Sequence, residues 1–272
     1  MSGHQYSCPM RWGDMDAQGH VNNAVYLDYL QEARVHFLLS GPPVLRRLLE
    51  TGVLVVSHQV EYLAPVTFSA RPLDIRLGAD RLGGSRFIIA YEVYDGDTLA
   101  ARAFTGAVPY DLASNTLRRL TTQERDLLGA TQIDVGPLRS VPKVAVTKAD
   151  HHFPLAVRWS DLDSYGHVNN VKYYDYIQEA RIALVGDRLG WEESGRWLVV
   201  RQDLDYHRPI DFRIAPYEVV TAVAGVGNRS ITLTAEIRDP AGEMTFATAR
   251  TVMVGERPLT LEQRSRLGAV GL

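Results

Sequence analysis

The feature that most constrains this chain is a repeat of its own sequence. Residues 11–34 read RWGDMDAQGHVNNAVYLDYLQEAR and residues 158–181 read RWSDLDSYGHVNNVKYYDYIQEAR, at an offset of 147 with 16 of 24 positions identical. Chance at average composition gives about one or two matches. The period is too long for a solenoid, whose units run to roughly 20–50 residues, so two copies of a whole domain are expected. Fainter echoes extend the match. Val60-Glu61-Tyr62-Leu63-Ala64-Pro65 parallels Leu204-Asp205-Tyr206-His207-Arg208-Pro209, and Thr121 to Gly129 parallels Thr260 to Gly268. The stretch from Thr131 to His151 has no second copy and holds Gly136, Pro137 and Pro142. The expected organisation is an N-terminal domain over 1–130, a connector over 131–152 and a C-terminal domain over 153–272. The Ile, Val and Leu content of the connector predicts that it lies along a surface.

Composition narrows the partners. Of 272 residues, 46% are apolar and 22% charged, with a net charge of −3. That is enough apolar surface for packed cores, and the charge balance shows no basic stripe for nucleic acid. The apolar runs, such as Val53 to Val56, are far shorter than a membrane span. Met1-Ser2-Gly3-His4-Gln5 lacks the charged and apolar regions of a secretory signal. Cys8 is the only cysteine, which excludes an internal disulfide and a thiolate-rich metal site. A soluble, cytoplasmic protein without membrane or nucleic-acid partners is the expectation.

Each copy follows one plan. A short extended segment ends at Arg11-Trp12 or Arg158-Trp159, and a loop with two acids and a glycine follows. Next comes helical spacing: Tyr26, Tyr29, Leu30, Ala33 and Phe37 in the first copy, Tyr173, Tyr176, Ile177, Ala180 and Leu184 in the second. Asn22 or Asn23, and Asn169 or Asn170, can cap these helices. Gly41-Pro42 ends the first helix, and Gly186 is expected to weaken the end of the second. The period then changes to two. Phe87, Ile89, Tyr91 and Val93 alternate with Arg86, Ile88, Ala90 and Glu92, and Ile231, Leu233, Ala235 and Ile237 do likewise, with turns at Asp95-Gly96 and Asp239-Pro240. A helix covering one face of an antiparallel sheet is an α+β domain, here made twice.

The chemistry-bearing stretch is Asp14-Met15-Asp16-Ala17-Gln18-Gly19-His20-Val21-Asn22-Asn23, with its copy Asp161 to Asn170. It sets a carboxylate in a loop just before a helix, with a glycine suited to a positive-φ turn. The first amides of a helix have no intrahelical partners and carry the positive end of the helix dipole. Such a place holds an anion, or a carbonyl oxygen becoming one, and a nearby Asp can activate water or attack directly. A single capping Asp or Asn gives no such information. Here a ten-residue pattern is retained between copies while its neighbours vary.

The pattern D-x-D-x-x-G-H-V-N-N-x-x-Y, ahead of a helix carrying E-A-R, resembles the 4-hydroxybenzoyl-CoA thioesterase-type branch of the hotdog-fold superfamily. The second copy also resembles the acyl-carrier-protein (ACP) thioesterases, which are tandem hotdogs. The resemblance covers nearly the whole chain. It implies a double hotdog, each half a long central helix wrapped by a curved antiparallel sheet, with the halves joined edge to edge as an intramolecular pseudo-dimer, active sites between them, and further homo-oligomers open. It implies a thioester hydrolase acting on acyl-CoA or acyl-ACP, with Asp16 and Asp163 catalytic and the Asn23 and Asn170 amides polarising the carbonyl. Gly19, His20, Asn22, Gly166, His167 and Asn169 are the expected substrate-side residues. Other branches place a catalytic Glu on the helix, but Glu32 and Glu179 sit at its flank. No cofactor is expected beyond coenzyme A as part of the substrate.

The residues agree with that chemistry. A thiolate leaves without strong acid help, so one carboxylate and an oxyanion-binding amide suffice, and there is no G-x-S-x-G elbow. Asp14 and Asp161 are instead expected to brace the loop by accepting backbone hydrogen bonds. A hotdog hydratase is a rival reading. Such enzymes use an Asp and a His five residues apart, whereas His20 is six from Asp14 and four from Asp16. A non-catalytic acyl-CoA-binding module is the other rival. His151-His152 is expected in the connector, without partners for a metal. Arg71, Arg76, Arg81 and Arg86 are expected on a solvated strand face, with coenzyme A phosphates as the alternative. The tyrosines of the helices are expected in the core.

Overall fold

A computed structural model describes residues 3–142, 144–147, 150–190 and 195–268. The chain divides into two compact units, Met1–Arg139 and Ser140–Leu272.

In the first unit, strand β1 (His4–Cys8) and a single turn at Trp12–Asp14 lead to helix α1 (Val25–Ser40). Helix α2 (Pro43–Thr51) follows, then β2 (Val53–Tyr62), β3 (Leu73–Leu82), β4 (Phe87–Asp95) and β5 (Thr98–Asp111). The two-residue β6 (Thr116–Leu117) and helix α3 (Thr122–Gly129) end it. All pairings are antiparallel and the strand order is β1-β3-β4-β5-β2. The second unit repeats this with β7 (His151–Leu155), a turn at Trp159–Asp161, α4 (Lys172–Leu189), β8 (Trp197–Tyr206), β9 (Tyr217–Val226), β10 (Ser230–Arg238), β11 (Thr245–Gly255) and α5 (Leu261–Arg266). Its order is β7-β9-β10-β11-β8. Each unit is a hotdog, and the chain is the tandem form.

The helices are buried beyond one face. In α1 the buried set comprises the five expected residues together with Leu27, Arg34 and Leu38. In α4 it comprises its expected five with Tyr174, Arg181, Val185 and Leu189. A helix enclosed by its sheet loses the polar stripe of a surface helix, so its hydrophobic periodicity fades. Helix α1 packs on β1 and β3, and α4 on β7, β9 and β10. The alternating residues Phe87, Ile89, Tyr91 and Val93 are all buried, as are Ile231, Leu233, Ala235 and Ile237. Helix α4 runs through Gly186 and ends at Gly190, whose φ is 75° and whose amide donates to the Gly186 carbonyl (2.9 Å). Gly190, not Gly186, is therefore the terminator.

Residues 131–138 form a strap on the first unit. Ile133 and Val135 are buried with Ala90 and Phe104, strand residues that alternate with the helix-facing ones. The Ile133 amide donates to Ala79 (3.0 Å) and Arg102 donates to the Val135 carbonyl (3.0 Å). The second unit's first strand begins at His151, so His151 and His152 are strand residues, paired with Thr221 and Val220. Each has a carboxylate partner, Asp187 at 2.8 Å and Glu218 at 2.7 Å, contrary to the expectation of none. Lys143, Lys148 and Ala149 of the expected connector lie outside the described residues.

Candidate functional site

The two acids of each loop have different surroundings. Asp14 is buried. Its carboxylate accepts from the Tyr29 hydroxyl (2.6 Å), the Arg11 amide (2.7 Å) and Arg11 Nε (3.0 Å). Asp161 repeats this with Tyr176 (2.7 Å), the Arg158 amide (2.9 Å) and Arg158 Nε (3.3 Å). Burial opposes the charge on Asp161, but hydrogen bonds from Tyr176 and Arg158 outweigh it and hold the carboxyl below its ordinary range. Burial, then the bond to the Asp, pushes the Tyr29 and Tyr176 hydroxyls well up. These aspartates fasten the loop to the helix.

Asp16 and Asp163 head a small hairpin instead. The Asp16 amide donates to His20 (2.8 Å), the Gly19 amide donates back to Asp16 (3.0 Å), and Met15 bridges Val21. Asp163 makes the same pair of bonds with His167 (2.8 Å) and Gly166 (3.0 Å). Gly19 and Gly166 have φ of +82° and +81° with open space where a Cβ would stand, so the backbone conformation selects glycine. Asp16 Oδ1 accepts from the Gln18 amide (2.8 Å), and Asp163 Oδ1 from the Tyr165 amide (2.8 Å). Oδ2 of each has no donor among the described residues. Both side chains are half-buried. One oxygen is anchored and the other is presented.

The hairpin returns at Asn22, whose amide donates to the Asp14 carbonyl (2.8 Å), while Val21 donates to Val66 (2.8 Å). Asn22 Oδ1 accepts from the Ala24 amide (2.9 Å) and Asn169 Oδ1 from Val171 (3.3 Å). These asparagines therefore cap the lead-in turn, and the helix proper begins at Val25 or Lys172. The Asn23 carbonyl accepts from the Tyr62 hydroxyl (2.7 Å), and Asn170 from Tyr206 (2.7 Å). The two histidines differ. His20 is half-buried with Nδ1 unpartnered, whereas His167 is exposed with Nε2 3.6 Å from Asp211. Glu32 and Glu179 are exposed. Each loop thus brings its Asp, Gly, His and both Asn together at the start of its helix.

Tyr29, Tyr62 and Arg11, with Tyr176, Tyr206 and Arg158, are the positioning residues that reading the sequence overlooked. Their signal was available, since all six are identical between copies. Tyr29 and Tyr176 are buried as expected, but their hydroxyls serve the loop. Arg71, Arg76 and Arg81 pair with Asp95 (2.6 Å), Glu92 (3.1 Å) and Asp80 (2.9 Å), and Arg86 donates to Ser57 (2.9 Å). These arginines are held by neighbours on their own sheet.

Two hotdog units, each with an anchored acid and a presented acid ahead of its central helix, define a tandem hotdog protein. The model of the thioesterase-like superfamily matches residues 10–142 and 157–256, and the chain belongs to that superfamily. YsmA of Bacillus subtilis (strain 168) is 31% identical over 105 residues, 37% of this chain and 68% of that protein. Two solved structures share the fold. The 12:0-ACP thioesterase from Umbellularia californica has a TM-score of 0.72 and 19% identity, over 94% of this chain and 98% of that one. An acyl-ACP thioesterase from Bacteroides thetaiotaomicron has a TM-score of 0.69 and 13% identity, over 92% and 96%. Among the described residues no helix is long and apolar enough to cross a membrane.

Proposed function

We propose that the protein is a thioester hydrolase that cleaves an acyl-CoA, with acyl-ACP as the other carrier its relatives suggest. In this reading Asp16 and Asp163 supply the base or nucleophile. The carbonyl oxygen is polarised at the helix start by the Asn23 and Asn170 amides, and Gly19, His20 and Asn22, with Gly166, His167 and Asn169, shape the substrate side. The observation that carries the reading is the division of labour within each D-x-D pair. The first acid is saturated by three donors, while the second is held by one oxygen and offers the other. A carboxylate oriented in this way, beside the positive end of a helix, suits attack on an electrophilic carbonyl with charge building on its oxygen. Family membership supports the reaction class.

The test is release of free thiol from a panel of acyl-CoA and acyl-ACP substrates, followed with a thiol reagent. Hydrolysis of some members, lost in the Asp16→Asn, Asp163→Asn double variant, is the expected result. Hydration of enoyl-CoA without thiol release, or full turnover by the double variant, defeats the reading.

A further inference from the structure

Each unit leaves a tryptophan in water. Trp12 and Trp159 are both 72% exposed, the most exposed aromatics among the described residues. Each rests edge-on against a phenylalanine, Trp12 on Phe68 (5.4 Å, 81°) and Trp159 on Phe212 (5.3 Å, 87°). The T-shaped contact orients an indole that stays largely in water. Before each tryptophan in sequence comes an arginine, Arg11 or Arg158, with a side chain 70% or 67% exposed. Each holds the buried aspartate through Nε, and Arg158 adds Nη2. Among the described residues no acceptor meets either terminal nitrogen of Arg11 or Nη1 of Arg158. An exposed indole has no stability reason to be kept in both copies. Here the fold spends a phenylalanine on orienting it and a buried carboxylate on fixing the guanidinium of the residue before it.

We propose that these Arg–Trp–Phe platforms bind the nucleotide end of coenzyme A, the adenine stacking on the indole and a phosphate meeting the arginine. Any base can stack on an exposed indole, and a guanidinium aimed by its Nε presents paired N–H donors to phosphate oxygens. The platform lies on the loop that carries the presented acid. Trp12 and Asp16 are four residues apart, so their Cα atoms are at most about 14 Å apart, within the span of an extended pantetheine arm. The two platforms are unequal. Asp211, with a side chain 74% exposed, precedes Phe212, where Thr67 precedes Phe68. That carboxylate repels a phosphate, which places the tighter site on Trp12. The inference rests on the thioesterase reading and narrows its carrier to coenzyme A.

The experiment compares one acyl group on two carriers, coenzyme A and the short N-acetylcysteamine, and measures binding of coenzyme A itself by calorimetry. Trp12→Ala, Trp159→Ala together should raise KM for acyl-CoA about tenfold. The N-acetylcysteamine thioester should be unchanged, affinity for coenzyme A should fall in parallel, and Trp12→Ala should have the larger single effect. Trp12→Phe, Trp159→Phe should restore most of the loss, which also shows that the platforms are folded. Equal effects on the two carriers, no effect on either, or unchanged affinity for coenzyme A would each overturn the proposal. If no thioester is hydrolysed at all, the calorimetry still decides. Weaker coenzyme A binding in the Ala variant sustains the platform while the hydrolase reading falls, and unchanged binding removes the platform.

Discussion

Replacing Asp161 by Asn removes a buried charge around which Tyr176 and Arg158 are arranged, at an expected cost of about 1.5–3 kcal/mol. The effect has a pH signature. The folded carboxyl titrates below its unfolded value, so its contribution is complete above about pH 5 and is lost as pH falls toward the folded value. Thermal melts of Asp161→Asn should therefore fall well short of the native protein at pH 7 and approach it near pH 3. A gap independent of pH would show that the carboxyl is not held low. Asp16→Asn is expected to behave oppositely, with turnover impaired and the melting temperature nearly unchanged. The lone thiol offers a separate check. Cys8 is 3% exposed, and burial, helped by Glu32 and Asp14 against Arg11, pushes it up to about 12. It should resist iodoacetamide at pH 8 until the protein is unfolded, and Cys8→Ala should leave hydrolysis intact. Rapid labelling of the native chain would contradict this.

At the scale of elements, the strap over 131–138 is the most exacting contact in the first unit. A Cβ on Gly78 would lie 2.0 Å from the Thr131 carbonyl oxygen and 3.2 Å from Ile133. Gly78→Ala should cost about 1–3 kcal/mol and loosen the strap. Limited trypsinolysis reads this directly, since Arg139, with a side chain 84% exposed, should be cut faster than in the native chain. Equal cutting rates would mean the strap does not depend on that approach. The elements themselves were unevenly legible. Period-two runs gave β4 and β10 because each buries an alternating set of apolar side chains on one face. The repeat matched the segments of α3 and α5 without identifying them as helices, though each begins with a capping box, Thr121 with Glu124 and Thr260 with Gln263. Helix α2 was overlooked. It has no partner among the described residues of the second copy, and its signals are only Pro43 in the first turn with Leu45 and Leu48 buried.

At the scale of the molecule, duplication is the functional statement. Both loops keep the acid, the glycine and the hydrogen bonds of the hairpin, so two working sites per chain are expected. Asp16→Asn and Asp163→Asn should each leave roughly half of the turnover, and the pair should lower it by about a hundredfold or more, as loss of a general base does. If one single variant abolishes all activity, the other half is a scaffold. The reading would then move to a single site in a chain whose second copy only supports it.

The repeat, the helix-then-strands plan and the composition of the acidic loop follow from residues close together in sequence; they were enough for a duplicated α+β domain, and the family resemblance of the loop added the hotdog class and the candidate residues. The resemblance pointed to the second acid of each pair, and what sequence lacked was the physical reason for that choice. Asp14 and Asp16 are alike in type, in loop position and in retention between copies. They are separated by a tyrosine hydroxyl fifteen residues further on, which closes over the first, and by the Val66 carbonyl, which ties the hairpin's return strand at Val21. Those partners arrive only when helix and sheet pack, because a buried carboxylate must collect its donors from wherever the fold brings them.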